Sequence, residues 1–489
     1  VLGLVALALA GLFALPAHAR TLPAVAPVAA CEALAATVYR AGDAPVRVAE
    51  AKTVTGEPAG TYCRVTGYVA PQVHFELRLP ANGWHQRLLF TGCGGFCGQV
   101  SIRVPAAEGC APVTNGEIAL VASDLGHSAA GQDTVWANGN PQGIRDYGHR
   151  GVHVVTLAAK AIIQAYYGQA PAFSYFSGCS DGGREGMMEA QRYPGDFDGI
   201  VAGAAVIDDT INNSIYHAWI VQHLLAPDGS PRFSDTTMAA VADDVLRQCD
   251  ARDGVKDGVL ADPERCIVSL GKLACSDAGA SPACLSADQV ATLEALYTGP
   301  VDATGRRLYH GLPPGSERSW NQWSKGSLLY ATNFVTHMTG QTFSGETDVW
   351  KLGFAPQNLA VFNRNASEIN AADPDLAAFS GRGGKLIMWH GWTDAGVPPG
   401  SSTGYFAAVR GRLGAKAQDA FMRLYMLPGV NHCGGGGGPD KLDLLTPLMA
   451  WVEDGVAPGA VTAYSRTEGE GRTWTIRPYP ALPTAPTAR

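Results

Sequence analysis

The segment Gly178-Cys179-Ser180-Asp181-Gly182 puts a serine between glycines, where an apolar run gives way to a helix-like stretch. This is the pattern of a nucleophile elbow: the glycines permit a sharp turn that holds the hydroxyl above a strand, within reach of a base. A serine needs that base to take its proton, and the base needs an acid to orient it. Two later segments supply candidates, each just past an apolar run: Asp394 in His390-Gly-Trp-Thr-Asp394-Ala-Gly-Val, and His432 in Pro428-Gly-Val-Asn-His432-Cys433-Gly. The order Ser180, Asp394, His432 is the one that sheet hydrolases with such an elbow use. His390 is the rival base; otherwise it lines the substrate pocket or braces the Asp394 loop. Acyl transfer also needs N–H donors for the developing oxyanion. Asp181, the residue after the serine, offers one. The second is expected from Thr91-Gly-Cys-Gly94-Gly95, with Gly94 and Gly95 equally eligible. The plain alternatives are a tight turn at 178–182 and a surface loop at 91–98, in a chain that holds 59 glycines.

Cys179 precedes Ser180 and Cys433 follows His432. If the serine and histidine meet, their neighbours meet too, and a Cys179–Cys433 disulfide would staple the two loops together.

These residues need strands that end in loops on one side of a sheet. Residues 65–79 alternate like strands, and Arg87–Phe90 forms a short strand. Ile118–Ser123, Phe173–Ser177 and Ile200–Val206 are apolar runs expected of buried parallel strands, with a helical pattern over Val152–Tyr167 between them. Leu386–Trp389 and Arg423–Leu427 resume the pattern much later. Strands alternating with helices predict an α/β fold with a mostly parallel sheet. The rhythm is lost over 208–375, which reads as an inserted lid domain rich in aromatic residues (Trp320, Trp323, Tyr330, Phe334, Phe343, Trp350). The core is thus expected from 20–207 and 376–475, and the Pro-rich residues 476–489 read as a disordered tail.

With 489 residues, 46% hydrophobic and 16% charged, the chain can build a large core. Its net charge of −8 and lack of a basic run argue against a nucleic-acid partner. Residues 1–19 pair an apolar stretch with Ala17-His18-Ala19, the pattern of a secretory signal peptide, and no later stretch would hold the chain in a membrane. Export makes most of the eleven cysteines bridges. Spacing suggests Cys31–Cys63, Cys249–Cys266 and Cys275–Cys284, leaves Cys93, Cys97 and Cys110 unassigned, and does not fit zinc. Asn212-Asn-Ser and Asn365-Ala-Ser read as glycosylation acceptors in a host that glycosylates.

The stretches FSGCSDGGREGMMEAQRYPGDFDGIVAGA, VNHCGGG and WHGWTDAGV resemble the tannase and feruloyl esterase family, and the likeness runs from about residue 31 to 470. The resemblance implies an α/β-hydrolase fold with an inserted lid, a disulfide between the cysteines beside serine and histidine, and ester hydrolysis through an acyl-enzyme on Ser180. The substrate implied is a small ester of an aromatic, phenolic acid such as gallate or ferulate; no organic cofactor is expected, and the signal-peptide pattern places the enzyme outside the cytoplasm, secreted or periplasmic. It also implies a structural calcium ion in the lid, held by Asp250, Asp253 and Asp257 side chains and by the Val255 and Val259 carbonyls. Oxygen ligands on a Gly-containing turn suit calcium. Terephthalate monoesters are the related alternative, but that branch carries an aromatic residue where this chain has Val397. A peptidase on the same fold and a non-catalytic binding protein on a hydrolase scaffold are the other readings. Neither a base nor an oxyanion turn would be needed by a binding protein.

Overall fold

The computed structural model describes residues 20–56, 60–275, 284–339, 348–465, 471–484 and 487–488. The expected signal peptide and Phe343 lie outside the described residues.

Ten strands form the main sheet: β1 (Tyr39–Ala41), β2 (Ala44–Gly56), β3 (Gly60–Val69), β4 (Val73–Pro80), β5 (Arg87–Thr91), β6 (Ala119–Ser123), β7 (Phe173–Cys179), β8 (Gly199–Gly203), β9 (Lys385–Gly391) and β10 (Met422–Leu427). Their order is β1-β2-β3-β4-β6-β5-β7-β8-β9-β10. The strands from β6 to β10 pair in parallel, while β1 to β4 form an antiparallel meander joined to β6. The fold is α/β with a largely parallel sheet.

Side-chain alternation explains why the parallel strands read as unbroken apolar runs. Leu88, Phe90, Ile200, Ala202, Leu386 and Met388 pack into a core on one face. Leu89, Val201, Ile387 and Trp389 pack into a second core on the other. With both faces covered, the central positions of these strands are buried and mostly apolar. The meander shows the opposite signature: β3 alternates buried and half-buried residues from Cys63 to Val69. β2 escapes detection because a bulge between Val48 and Glu50 breaks its period of two.

Between β8 and β9, neighbours in the sheet, the chain makes a long helical excursion. Its helices include His217–Leu224, Asp235–Cys249, Ala287–Thr298 and Trp320–Asn333. They build clusters of their own, one around Tyr216, Val241, Val245, Leu293 and Trp320 and another around Ile215, Val335 and Phe362.

The C-terminal end is not the disordered tail that its prolines suggest. A second, antiparallel sheet of β11 (Lys441–Leu442), β12 (Val461–Tyr464), β13 (Arg472–Ile476) and β14 (Thr487–Ala488) closes the chain. Pro478 bridges Tyr425, the Tyr479 N–H donates to the Leu424 carbonyl at 2.7 Å, and Thr484 N–H donates to Thr475. The exposed edge of β10 needs backbone partners, and this segment supplies them.

Five disulfides form: Cys31–Cys63, Cys93–Cys97, Cys179–Cys433, Cys249–Cys266 and Cys275–Cys284. Cys110 is free and buried. Such a set fits an oxidising compartment. No helix among the described residues is long and apolar enough to cross a membrane.

Candidate active site

Ser180 sits where β7 ends and the helix Asp181–Arg192 begins, with φ 67° and ψ −122°. That left-handed φ is costly for a serine, and the surrounding backbone enforces it. A Cβ on Gly178 would lie 2.3 Å from the Gly182 carbonyl oxygen, so only glycine lets the two arms of the elbow meet. The Ser180 N–H is held by the Gly203 carbonyl at 3.0 Å, at the end of β8.

Asp394 follows β9 and His432 follows β10. His432 Nε2 lies 2.8 Å from Ser180 Oγ, and His432 Nδ1 lies 2.6 Å from Asp394 Oδ2. A carboxylate only accepts, so the proton is on Nδ1, and Nε2 is free to accept the serine proton. Asp394 is fully buried, and its Oδ1 accepts from the N–H groups of Gly396 (2.8 Å) and Val397 (2.9 Å). Burial by itself would raise the Asp394 pKa. The His432 charge and the hydrogen bonds from His390 and His432 override it and hold the carboxyl far below its usual range. Cys179 and Cys433 join as a disulfide across this junction, closing 254 residues of sequence. Such a link constrains the unfolded chain by about 2–5 kcal/mol.

His390 is not part of the substrate cavity. It is fully buried, its Nε2 lies 3.1 Å from Asp394 Oδ2 and 2.9 Å from the Val397 carbonyl, and its Nδ1 lies 2.8 Å from Ser402 Oγ. Both neighbours of Nε2 are acceptors, so Nε2 carries the proton and braces the Asp394 loop. Of the three roles expected of His390, the geometry fits bracing the Asp394 loop; it is His432 that faces Ser180 as the base, and His390 does not border the cavity beside Ser180.

The cavity beside Ser180 is formed on the core side by Gly95, Val206, Gly396, Val397 and His432. The helical excursion closes it with Asp209, Asn212, Asn213, His217, Trp323 and Tyr330. Of the aromatic residues read as lid, Trp323 meets His432 edge to face at 5.3 Å, and Tyr330 stacks on His217 at 5.1 Å. Trp320 and Phe334 are core residues. A larger cavity of about 740 Å³ lies between Glu264, His310 and Trp392, but none of Ser180, Asp394 and His432 borders it.

Gly95 borders the Ser180 cavity, whereas Gly94 borders a separate one with Cys93 and Cys97. Gly95 has φ 64°, and a Cβ there would lie 2.1 Å from the Gly131 carbonyl oxygen; around Gly94 there is open space. The Cys93–Cys97 bridge closes this loop. Glu185 Oε1 accepts the Cys93 N–H at 3.0 Å, and burial pushes its carboxyl pKa well up. His127 Nε2 donates to the Phe96 carbonyl at 2.7 Å. Neither Glu185 nor a Cys93–Cys97 pair stands out in the sequence as part of the site. The signal available was a glutamate in the helix that directly follows the elbow. The Asp181 side chain turns away from the cavity, accepting from Tyr147 Oη (2.9 Å) and Arg184 Nε (2.5 Å). Its N–H opens the helix, where first-turn amides have no acceptor within the helix.

The acidic loop is closed by Cys249–Cys266. Asp250 accepts from the N–H groups of Asp257 and Gly258 at 3.2 Å, and Asp253 from Val255 (2.9 Å) and Ala261 (3.1 Å). Burial raises the Asp257 pKa, and the nearby charges of Asp250 and Asp253 raise it further. The donors are all oxygen and mutually repelling, which is the chemistry a hard cation relieves. Among the described residues, the group whose ligand atoms converge within 4.8 Å is instead Cys93, Cys97, Asp181 and Glu185, where the sulfurs are tied in a disulfide.

An elbow serine, a histidine in the accepting tautomer and a buried carboxylate at the ends of parallel strands define an α/β-hydrolase esterase site. The comparisons with known proteins agree. The family model described as tannase and feruloyl esterase matches residues 53–486. The chain is 33% identical to the mono(2-hydroxyethyl) terephthalate hydrolase of Piscinibacter sakaiensis, over 93% of this chain and 89% of that protein. Its structure matches feruloyl esterase B from Aspergillus oryzae with a TM-score of 0.81 and 26% identity, covering 92% of this chain and 95% of the other. Tannin acyl hydrolase from Aspergillus niger shares the fold, with a TM-score of 0.76 at 21% identity and 96% coverage of both chains. The chain belongs to the tannase and feruloyl esterase family. It is a carboxylic ester hydrolase acting on esters of aromatic acids.

Proposed function

We propose that the protein is a secreted serine esterase that releases phenolic acids from their esters through an acyl-enzyme on Ser180. The observation that carries this reading is the unbroken chain Ser180 Oγ to His432 Nε2 (2.8 Å) and His432 Nδ1 to Asp394 Oδ2 (2.6 Å). Ser180 Oγ attacks the ester carbonyl as its proton passes to His432 Nε2. Asp394 stabilises the imidazolium. The N–H groups of Asp181 and Gly95 receive the oxyanion, helped by the positive end of the helix that starts at Asp181. The imidazolium then gives its proton to the leaving alcohol. Water, activated by the same nitrogen, releases the acid and restores Ser180. The cavity holds about 20 Å³ as it stands, so an aromatic ring enters only as the helical excursion moves outward, and Trp323 and Tyr330 then supply flat apolar walls for it. Methyl ferulate and methyl gallate, assayed beside 4-nitrophenyl acetate, test the reading. Turnover of either phenolic ester supports it, whereas cleavage of the acetate alone sinks the aromatic specificity.

The glycine loop gives a sharper test of the oxyanion assignment. Gly95→Ala should lower kcat by about 10²–10³, the effect of losing one oxyanion donor, because the Gly131 carbonyl forces the loop to move. Gly94→Ala should leave kcat within about threefold, as a surface substitution into open space. Equal losses in the two variants would reject Gly95 as the donor.

Calcium belongs to the same proposal as a structural ion, held by Asp250, Asp253 and Asp257 with the Val255 and Val259 carbonyls. When bound it offsets the repulsion among the three carboxylates and stiffens a loop that Arg472 ties to β13 by donating to the Asp257 carbonyl at 2.9 Å. Chelation is expected to lower Tm by about 3 °C, and added calcium to restore it. Asp250→Asn should abolish that response. A Tm indifferent to chelator would remove the ion from the account.

A further inference from the structure

Among the described residues, two buried polar atoms at the Ser180 cavity have no partner. Asn212 is 1% exposed and its Oδ1 has no hydrogen bond. Its Nδ2 lies 3.5 Å from the Gly396 carbonyl and 3.3 Å from His217 Nε2. A carbonyl only accepts, so the amide nitrogen must face Gly396, and that leaves Oδ1 as the open acceptor. Asp209, also 1% exposed, accepts from Asn213 Nδ2 through Oδ1 at 2.7 Å, while its Oδ2 has no partner. The Tyr147 hydroxyl proton, the nearby donor, is given to Asp181. Burial, which outweighs the opposing pull of the Arg184 charge, raises the Asp209 pKa well above the usual carboxylate range and so favours its neutral form. The cavity thus offers one fixed acceptor, Asn212 Oδ1, and one unpaired carboxyl oxygen, Asp209 Oδ2, whose burial favours the protonated form.

Buried polar groups in folded proteins are almost always paired. Two orphans in the cavity that holds the reactive serine are paired when a ligand arrives. A phenolic hydroxyl fits both: its proton goes to Asn212 Oδ1 and its oxygen accepts from Asp209. An unsubstituted ring would leave both atoms unpaired. A second carboxylate on the ring would be stripped of water in a cavity whose described lining holds no Lys or Arg to offset its charge. Asn212 sits too deep to be the glycosylation acceptor its Asn-Asn-Ser context suggests.

We propose that Asn212 and Asp209 form the hydroxyl-recognition end of the acyl pocket and select hydroxylated aromatic acids over unsubstituted ones and over aromatic diacids. This rests on the reading of the Ser180 cavity as the acyl pocket of an aromatic-acid esterase.

The experiment compares kcat/KM for methyl caffeate and methyl cinnamate, which differ only in ring hydroxyls, in wild type and Asn212→Leu, with 4-nitrophenyl acetate as a control of the catalytic machinery. Wild type should favour caffeate by on the order of 100-fold, because sites built for a hydroxyl discriminate far more strongly than apolar ones. In Asn212→Leu that ratio should collapse toward one. Competitive inhibition of wild type by 3,4-dihydroxybenzoate, benzoate and terephthalate gives a measure independent of the variant's folding, with the dihydroxy acid expected to bind tightest. A wild-type ratio near one, or a variant that slows both esters equally while the acetate is cleaved normally, overturns the inference but leaves the esterase reading intact. Cleavage of the acetate with neither aromatic ester touched overturns the aromatic-acid reading, and the inference with it.

Discussion

Replacing Ser180 with alanine is expected to lower kcat on methyl ferulate by about 10⁵–10⁶, to the level left by binding and oxyanion contacts alone. Among the described residues that border the cavity, no other side chain is placed to take over its role. Of the groups that border the cavity, Ser180 Oγ is the one held at 2.8 Å from a histidine nitrogen whose other nitrogen is locked on a buried carboxylate. The loss should fall on kcat, with KM little changed, because the hydroxyl makes its essential contact in the transition state. Stability provides a second readout. Alanine keeps the costly φ of 67° at position 180, whereas glycine adopts it without strain. Ser180→Gly should therefore be as inactive as Ser180→Ala yet more stable, by about 1 kcal/mol. An alanine variant that keeps more than a few per cent of wild-type turnover would remove Ser180 from the mechanism. A glycine variant no more stable than alanine would show that the elbow is not strained.

Much of this arrangement was readable in the chain because the chemistry is carried by short segments at strand ends. The parallel strands are apolar on both faces, so their ends could be located. Gly178 and Gly182 mark the turn, and Ser180, Asp394 and His432 follow β7, β9 and β10 as expected. The Cys179–Cys433 pairing followed from the adjacency of each cysteine to a candidate site residue. What stayed hidden depends on approach through space. Gly94 and Gly95 are chemically identical, and only the position of the Gly131 carbonyl separates them. Asn212 reads as a surface acceptor until the excursion folds over Ser180 and buries it. Glu185 looks like an ordinary helical glutamate, yet it holds the Cys93 N–H. The second sheet leaves little trace in the sequence because its strands are short and far apart, and the prolines near the end mask the backbone partners that β10 finds there. His390 has the chemistry of a base, but the acceptors on both sides of its Nε2 commit it to Asp394.

That commitment makes Asp394→Asn the next most damaging substitution, through protons and with almost no change in shape. Asp394 accepts four hydrogen bonds: two backbone N–H groups on Oδ1, and His432 Nδ1–H with His390 Nε2–H on Oδ2. An asparagine has one accepting oxygen. The backbone donors of Gly396 and Val397 cannot change sign, so that oxygen must face them, and the new NH₂ group then faces the two imidazoles. His390 can still give its Nε2 proton to the Val397 carbonyl. His432 has no such alternative on Nδ1: it must accept from the amide there and move its proton to Nε2. In that tautomer Nε2 confronts Ser180 Oγ as a donor and cannot take its proton, and the charge that would steady an imidazolium is gone as well. The expected loss in kcat is about 10⁴, with substrate binding retained. The NMR signature should change with it: in wild type the downfield imidazole proton sits on His432 Nδ1, and in Asp394→Asn it should leave that nitrogen. A variant that kept the Nδ1 proton and lost little rate would mean that Asp394 positions the loop without setting the tautomer, and the acid in this mechanism would have to be sought elsewhere.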